Sequence, residues 1–157
     1  MKSLNDVFLH TLKDVYYAEN ALVKALPKVA KAASDAKLEK CLQEHLTETK
    51  GQVKILDNVF KSIDAKPSGE KCDAIEGLIK ETEGVIDEIK SGPALDAALI
   101  GCCQAVEHYE IARYGTLREW AKTLKHTQAH DLLSQIIDQE KAANSKLTHI
   151  AVSNVNH

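Results

Sequence analysis

Hydrophobic residues recur along this chain at alternating steps of three and four, the spacing that places them on one face of a helix. The pattern is interrupted by a few short polar or Gly/Pro-containing segments: Ser34-Asp35, residues 63–69, Ser91-Gly92-Pro93 and Lys125-His126-Thr127. These breaks predict five helices, at about residues 3–33, 36–62, 72–90, 93–125 and 127–154. Pro27 lies late in the first helix and should kink or shorten its last turns.

Four of the predicted helices carry glutamate at positions of the apolar stripe where leucine or isoleucine would be expected. These residues are Glu19, Glu48, Glu107 with Glu110, and Glu140. An ionised carboxylate in an apolar core is costly unless it is paired or coordinates a metal ion. The third predicted helix differs from these four because its apolar stripe contains no acid. The pattern predicts a polar site in the interior of the protein.

The lengths of the segments predict how the helices are arranged. Short turns join the first helix to the second and the fourth to the fifth, whereas the two hairpins are linked by about thirty residues that contain the short third helix. This order predicts an all-α protein, a four-helix bundle with one long crossover and an additional short helix. Glu19 and Glu48 lie roughly fifteen residues on either side of one turn, and Glu110 and Glu140 on either side of the other. The acids should therefore share a level.

Composition narrows the possible classes of protein. The chain of 157 residues is long enough to form a single domain with its own core, and we expect that domain to span residues 1–157. A net charge of −3 and the lack of a dense basic run argue against a nucleic-acid partner. No signal peptide or membrane-spanning stretch is visible, and the four cysteines form no C-x-x-C pair. We expect a reduced, cytoplasmic protein that has no membrane partner.

Converging carboxylates either hold protons, with raised pKa values, or bind cations. Two divalent ions would supply the charge that four ionised glutamates need, and oxygen-rich sites suit iron or manganese, with zinc as a further candidate. Glu107 and Glu110 are three residues apart on one helical face, so both could meet one metal pair. The predicted ligands are Glu19, Glu48, Glu107, Glu110 and Glu140, with His45 as an additional candidate.

The histidines expected of such sites are missing. Known di-metal bundles have Glu-x-x-His on two helices, but Gly51 and Ala143 follow Glu48 and Glu140 at that spacing. His45 precedes Glu48 by three residues and could be a ligand, a partner that orients Glu48, or an ordinary core histidine. Four tyrosines lie at heights similar to those of the acids, as helix anchors or as hydrogen-bond or electron donors to the site: Tyr16, Tyr17, Tyr109 and Tyr114.

Several segments resemble the YciF/YciE family of bacterial ferritin-like proteins. They are Tyr16-Tyr17-Ala18-Glu19, residues 45–52, residues 106–112, Gln139-Glu140-Lys141 and the closing residues 147–156, so the similarity covers nearly the whole chain. The resemblance implies a rubrerythrin-like four-helix core in a cytoplasmic stress-response protein, often a homodimer. The Glu-x-x-Glu of Glu107 and Glu110 is shared with rubrerythrins, but the chain lacks their Glu-x-x-His histidines and their Cys-rich electron-transfer domain.

Three functions follow from these observations. The first is a di-metal protein that consumes oxygen or peroxide with an external electron donor and so protects against oxidative or other stress. The second is a non-catalytic metal-buffering protein. The third is a structural or interaction protein whose site stays empty or partly protonated. For all three functions, the extra amphipathic helix of this small bundle favours a homodimer.

Overall fold

The computed structural model describes residues 1–156, and the regular secondary structure within that range is entirely helical. The helices are α1 (Leu4–Ala32), α2 (Ala36–Ser62), α3 (Asp73–Glu88), α4 (Pro93–Thr123) and α5 (Thr127–Ile150), followed by a π-helical turn at Ala151–Val155. The all-α prediction is therefore confirmed, and most helix ends agree with it to within two residues. None of the helices in this part of the chain is both long and apolar enough to cross a membrane.

The helix ends form where the local chemistry favours them. Ser3 and Asp6 form a capping box at α1, with each side chain accepting a hydrogen bond from the backbone of the other at 3.1 Å. Asp35 caps α2 by accepting from the Leu38 N–H at 2.9 Å. Before α4, Gly92 has a φ of 144°, a conformation that favours glycine, and Pro93 begins the helix.

Proline does not end the first helix early. Helix α1 continues through Pro27 to Ala32, so of the two expected effects, a kink or a shortening, the shortening is wrong. Pro27 is exposed, and a proline at this position removes only the hydrogen bond to the carbonyl four residues before it. On the exposed side of the helix, solvent can satisfy that carbonyl, whereas Leu26, Val29 and Ala30 hold the buried side in place.

The four long helices pack around a common interior. Helix α1 contacts α2 and α4, and α5 contacts α2 and α4, so that each long helix has two long neighbours. The crossover helix α3 packs on the outside, against α1 and α4. It buries fewer residues than the others, Ile75 and Thr82. Consecutive long helices are thus in contact within each pair, α1 with α2 and α4 with α5, and α3 lies between the pairs in sequence.

One buried acid links the two hairpins. Asp96, in the first turn of α4, accepts hydrogen bonds from the Ser34 N–H at 2.8 Å, the Ser34 hydroxyl at 2.6 Å and the Asp35 N–H at 2.9 Å. Ser34 and Asp35 form the turn between α1 and α2. Because these three bonds fix the start of α4 against that turn, they also fix the relative heights of the side chains on α1 and α4.

Two large apolar cores occupy opposite ends of the interior, and a third, smaller cluster that includes Leu26, Ile75 and Val106 packs beneath α3. One contains Phe8, Leu12, Phe60, Leu117 and Leu133 among its buried residues, and the other contains Leu38, Leu42, Leu99, Leu147 and Ile150. Between them, along each long helix, lies a polar layer. It consists of Glu19 on α1, His45, Thr49 and Gln52 on α2, Glu107 and Glu110 on α4, and Glu140 on α5.

Candidate metal centre

The polar layer brings four glutamates together in the interior. Glu19, Glu107, Glu110 and Glu140 are each at most 1% exposed. They lie on the buried stripes of α1, α4 and α5, where their neighbours along the stripe are leucine, isoleucine, valine and tyrosine. The packing of those neighbours fixes the rotation of each helix and keeps the glutamate side chains out of contact with bulk solvent. The placement of these four acids on buried faces agrees with the sequence pattern.

The donor atoms form two overlapping groups. His45, Glu107 and Glu140 each present one ligand atom such that all three atoms lie within 4.8 Å of one another, and Glu19, Glu110 and Glu140 form a second group with the same limit. Both groups contain Glu140. Such spacing suits a pair of adjoining cation positions with Glu140 between them, because metal–oxygen and metal–nitrogen distances near 2 Å place ligands of one ion within about 4 Å of each other.

His45 belongs to this cluster through its Nε2 atom. That atom lies 2.9 Å from Oε1 of Glu107, whereas Nδ1 is 4.0 Å from Oε2 of Glu48, beyond hydrogen-bond reach. The ring is 8% exposed, and Nδ1 has no hydrogen-bond partner within residues 1–156. Of the three roles considered for His45, the geometry favours a donor beside Glu107 over a partner that orients Glu48.

Glu48 does not lie on the buried face of α2. Its side chain is 44% exposed, and the prediction that it faces the core is wrong. Leu42 and Leu56 are fully buried and set the rotation of the helix so that Thr49, not Glu48, points inward. Thr49 tolerates this position because its hydroxyl donates to the His45 carbonyl at 2.9 Å. A ligand role for Glu48 stays a prediction; its carboxylate lies at the solvent edge of the cluster.

The cluster is short of hydrogen-bond donors. Seven of the eight carboxylate oxygens of its four glutamates accept no hydrogen bond from any residue of the described chain, and only one of the seven, Oε1 of Glu107, has an ion-pair partner, the His45 Nε2 at 2.9 Å. The eighth, Oε1 of Glu19, accepts from the Tyr114 hydroxyl at 2.5 Å. Leaving a buried polar atom without a partner costs about 1–3 kcal/mol, and more when the atom is charged. The interior therefore contains a strong, uncompensated demand for protons or cations.

Burial and mutual repulsion change the acidity of these groups. Burial raises the pKa of Glu19 to about 8, and the negative charge of Glu140 acts in the same direction. Burial is also the largest cause that raises the pKa of Glu107 to about 7. The pKa values of Glu110 and Glu140 lie well above the ordinary range, again chiefly through burial. At neutral pH and without a cation, the cluster would hold several protons.

Only one of the four tyrosines reaches the cluster. Tyr114 donates to Glu19, as described above, and is fully buried. The other three are helix anchors: Tyr16 donates to Asp57, Tyr17 donates to Glu76, and the Tyr109 hydroxyl lies 2.9 Å from the Cys72 sulfur. Tyr114 could be singled out from the sequence because it alone of the four falls on an apolar stripe that contains a glutamate.

Two amide side chains pair at the border of the cluster: Gln52, which the sequence pattern places on the stripe of α2, and Gln139 of α5, which it does not signal. Gln52 is 1% exposed and donates from Nε2 to Oε1 of Gln139 at 3.1 Å, and its own Oε1 has no partner in the range 1–156. This amide pair joins α2 and α5 near the glutamates. No pattern in the sequence signals it, because Gln139 lies off the apolar stripe and is brought in by the packing of α5 against α2.

The chain is similar to known proteins along nearly its whole length. The model of a domain of unknown function, DUF892, matches residues 3–157. Protein YciF of Escherichia coli (strain K12) is 46% identical over 157 residues, which cover 99% of this chain and 95% of that protein. The crystal structure of the E. coli stress protein YciF superposes with a TM-score of 0.95, covering 99% of each chain.

Two further solved structures are similar. YcfI of Rhodopseudomonas palustris, described as a candidate structural protein, is 48% identical with a TM-score of 0.92, covering 94% of each chain. A protein of Xanthomonas campestris pv. campestris is 17% identical with a TM-score of 0.73, and it shares the fold alone. The fold and the site define an all-α protein with a buried glutamate cluster. The chain belongs to the DUF892 family, the family of the YciF stress protein.

Proposed function

We propose that the protein is a ferritin-like four-helix bundle that binds two divalent metal ions, iron or manganese, in its buried glutamate cluster. His45, Glu107 and Glu140 would hold one ion, and Glu19, Glu110 and Glu140 would hold the other. The observation that carries this proposal is the set of seven carboxylate oxygens in the interior that accept no hydrogen bond within the described chain, six of which also have no ion-pair partner. Two doubly charged cations would neutralise four carboxylates and satisfy those oxygens.

The chain's own residues would do three things around such a pair. The glutamates would release their protons as the cations enter, because a ligand carboxylate must be ionised. Tyr114 would hold Glu19 in place through its hydroxyl, and the apolar cores on both sides would exclude bulk water. When bound, the metal pair would supply the capacity to react with oxygen or peroxide, with electrons from an external donor, and so protect a stressed cell.

The similarity to the E. coli stress protein YciF supports a role in stress. Two alternative functions use the same glutamate cluster. A metal-buffering protein would bind the same ions without turnover. In the second alternative, a structural protein keeps the acids protonated, and the raised pKa values of Glu19 and Glu107 favour this state whenever no cation is present. Assembly as a homodimer and a location in the cytoplasm belong to the proposal in all three cases.

Metal analysis tests the proposal directly. Protein purified without chelator should contain iron, manganese or zinc, and chelator-treated protein titrated anaerobically with Fe²⁺ or Mn²⁺ should approach two ions per chain. Glu140→Gln removes the donor that both groups share and should abolish binding at both positions. Glu88→Gln, an exposed acid on α3, is the matched control and should bind as the wild type does.

Three outcomes separate the candidates. Absence of metal from the purified protein together with failure of the titration would contradict both metal-binding functions and leave the structural one. Binding by Glu140→Gln equal to that of the wild type would show that the cations lie elsewhere. An optical change when oxygen or peroxide is added to the Fe²⁺-loaded protein would distinguish oxygen or peroxide chemistry from buffering.

A further inference from the structure

A small apolar cavity lies beside the glutamate cluster, enclosed by α1, α3 and α4. Its volume is about 30 Å³. The walls are formed by Leu22, Leu26 and Val29 of α1, Ile79 and Ile86 of α3, and Val106 of α4. The thiols of Cys102 and Cys103 complete the lining on the α4 side. The cavity exists because the crossover helix bridges α1 and α4 without filling the space between them.

The two ends of this cavity lie in different surroundings. Its inner end is lined by His45 and Glu107, which belong to the candidate metal centre. Its outer end is lined by Lys28 and Glu83, whose side chains are both more than half exposed and whose Nζ and Oε1 atoms are 4.0 Å apart. The cavity therefore extends from a surface ion pair between α1 and α3 to the buried donors on α2 and α4.

The lining determines which molecules the cavity can hold. A water molecule needs about 10–15 Å³ of such volume and two to four polar partners, and apolar cavities without those partners stay dry. Between its two ends the cavity offers one hydroxyl, that of Thr82, which already donates to the Leu78 carbonyl at 2.8 Å. Peroxide and hydrated ions would lose hydrogen bonds along this route, whereas an uncharged diatomic molecule would lose none.

We propose that this cavity binds small apolar molecules of diatomic size, and that it carries dioxygen to the His45–Glu107 side of the metal centre. The second half of this statement rests on the proposed function, whereas the first half does not. The cavity thus selects dioxygen rather than peroxide as the oxidant that reaches the site through α1, α3 and α4.

Binding can be tested without metal. In chelator-treated protein, dissolved oxygen under pressure enhances the relaxation of methyl groups close to sites that it occupies. We expect a severalfold larger enhancement at the methyl groups of Leu22, Leu26 and Val106, which are 4–6% exposed, than at Leu147 and Ile150, which are 3% and 6% exposed in the apolar core at one end of the interior. A uniform enhancement across buried methyl groups would overturn the proposal.

Two alanine-to-leucine substitutions on α1, one inside the cavity and one outside it, test whether the cavity is the oxygen-binding site. Ala25 lines the cavity, and Ala25→Leu should fill it and reduce the enhancement to the level of the reference methyl groups. Ala21 lies one turn earlier on α1 and is half-buried like Ala25, but it does not line the cavity. Ala21→Leu should therefore leave the enhancement unchanged. Cys102→Leu fills the cavity from α4 and serves if Ala25→Leu does not fold. Full enhancement in a folded filling variant would refute the assignment.

Delivery is tested in protein loaded anaerobically with Fe²⁺. Ala25→Leu should bind the same amount of metal as the wild type but react severalfold more slowly with dissolved oxygen, and Ala21→Leu should react at the wild-type rate. An unchanged rate in Ala25→Leu would overturn delivery through the cavity. If the wild type binds no metal, the proposed function and the delivery role both fail, while the methyl relaxation of the metal-free protein still decides whether the cavity binds an apolar molecule.

Discussion

Replacing Glu19 with glutamine should stabilise the metal-free protein at pH 8. In the unfolded chain this carboxyl group titrates near its ordinary pKa of 4.5, whereas in the folded protein burial raises the pKa to about 8. Between these two values the folded state binds more protons than the unfolded state, so the stability that Glu19 contributes at low pH is lost as the pH rises. Glutamine is neutral at every pH and removes this loss.

The size of the effect follows from the shift in pKa. At about 1.4 kcal/mol per pKa unit, a rise from 4.5 to about 8 corresponds to on the order of 5 kcal/mol of lost stability at pH 8. Relaxation of a buried site recovers part of such a penalty, so we expect Glu19→Gln to raise the free energy of unfolding by about 2–5 kcal/mol at pH 8. At pH 5, only half a unit above the unfolded pKa of 4.5, the folded carboxyl is protonated and little stability has yet been lost, so the gain should be at most about 1 kcal/mol.

Urea unfolding of chelator-treated protein at pH 5 and pH 8 measures this difference. The side-chain oxygen of glutamine still accepts from Tyr114, so the hydrogen bond at that position is kept. Glu88→Gln on the exposed side of α3 is the control and should change the stability little at either pH. Equal stability of Glu19→Gln and the wild type at pH 8, or a gain that is the same at both pH values, would refute the reasoning.

Three further predictions concern the same framework. Tyr114→Phe removes the hydroxyl that donates to Glu19 at 2.5 Å and should lower the free energy of unfolding of the metal-free protein in urea by about 1–3 kcal/mol. The loss should be larger at pH 8 than at pH 5. No loss would mean that this hydrogen bond does not stabilise the fold. Asp96→Ala deletes three hydrogen bonds to Ser34 and Asp35 and should cost about 3 kcal/mol or more by thermal unfolding, and Asp96→Asn should cost less. With saturating Mn²⁺ the dependence on pH should reverse, because protons compete with the cation for the carboxylates, and stability that still falls from pH 5 to pH 8 would argue against binding at the cluster.

The helices and most of the buried acids could be predicted from the sequence because both depend on local spacing. On α1, α4 and α5 each glutamate is flanked along its stripe by large apolar residues, such as Val15 and Leu22 around Glu19, and only one rotation of the helix buries them all. The short turns then bring the acids to one level. These are properties of single helices and of two-helix hairpins, which a pattern of residues specifies well.

The rotation of α2 could not be predicted in the same way. Its polar middle, residues 43–54, contains steps of three and four that suit a stripe through Glu48 as well as one through Thr49. The choice is made at its ends, where burial of Leu42 and Leu56 in two different apolar cores places Thr49 inside. That His45 meets Glu107 depends on packing among several helices, and no spacing within α2 contains this information.

The polar layer divides the interior into two apolar cores, each of which draws residues from all four long helices. In the absence of a cation the cores are joined through protonated acids with few hydrogen bonds between them, and the ends of the molecule can exchange with solvent as partly independent units. A cation held by glutamates of α1, α4 and α5 would bond the helices to one another at mid-height. Metal content would then set the cooperativity of unfolding as well as its midpoint, and hydrogen exchange at the two ends would become coupled only when the layer is filled.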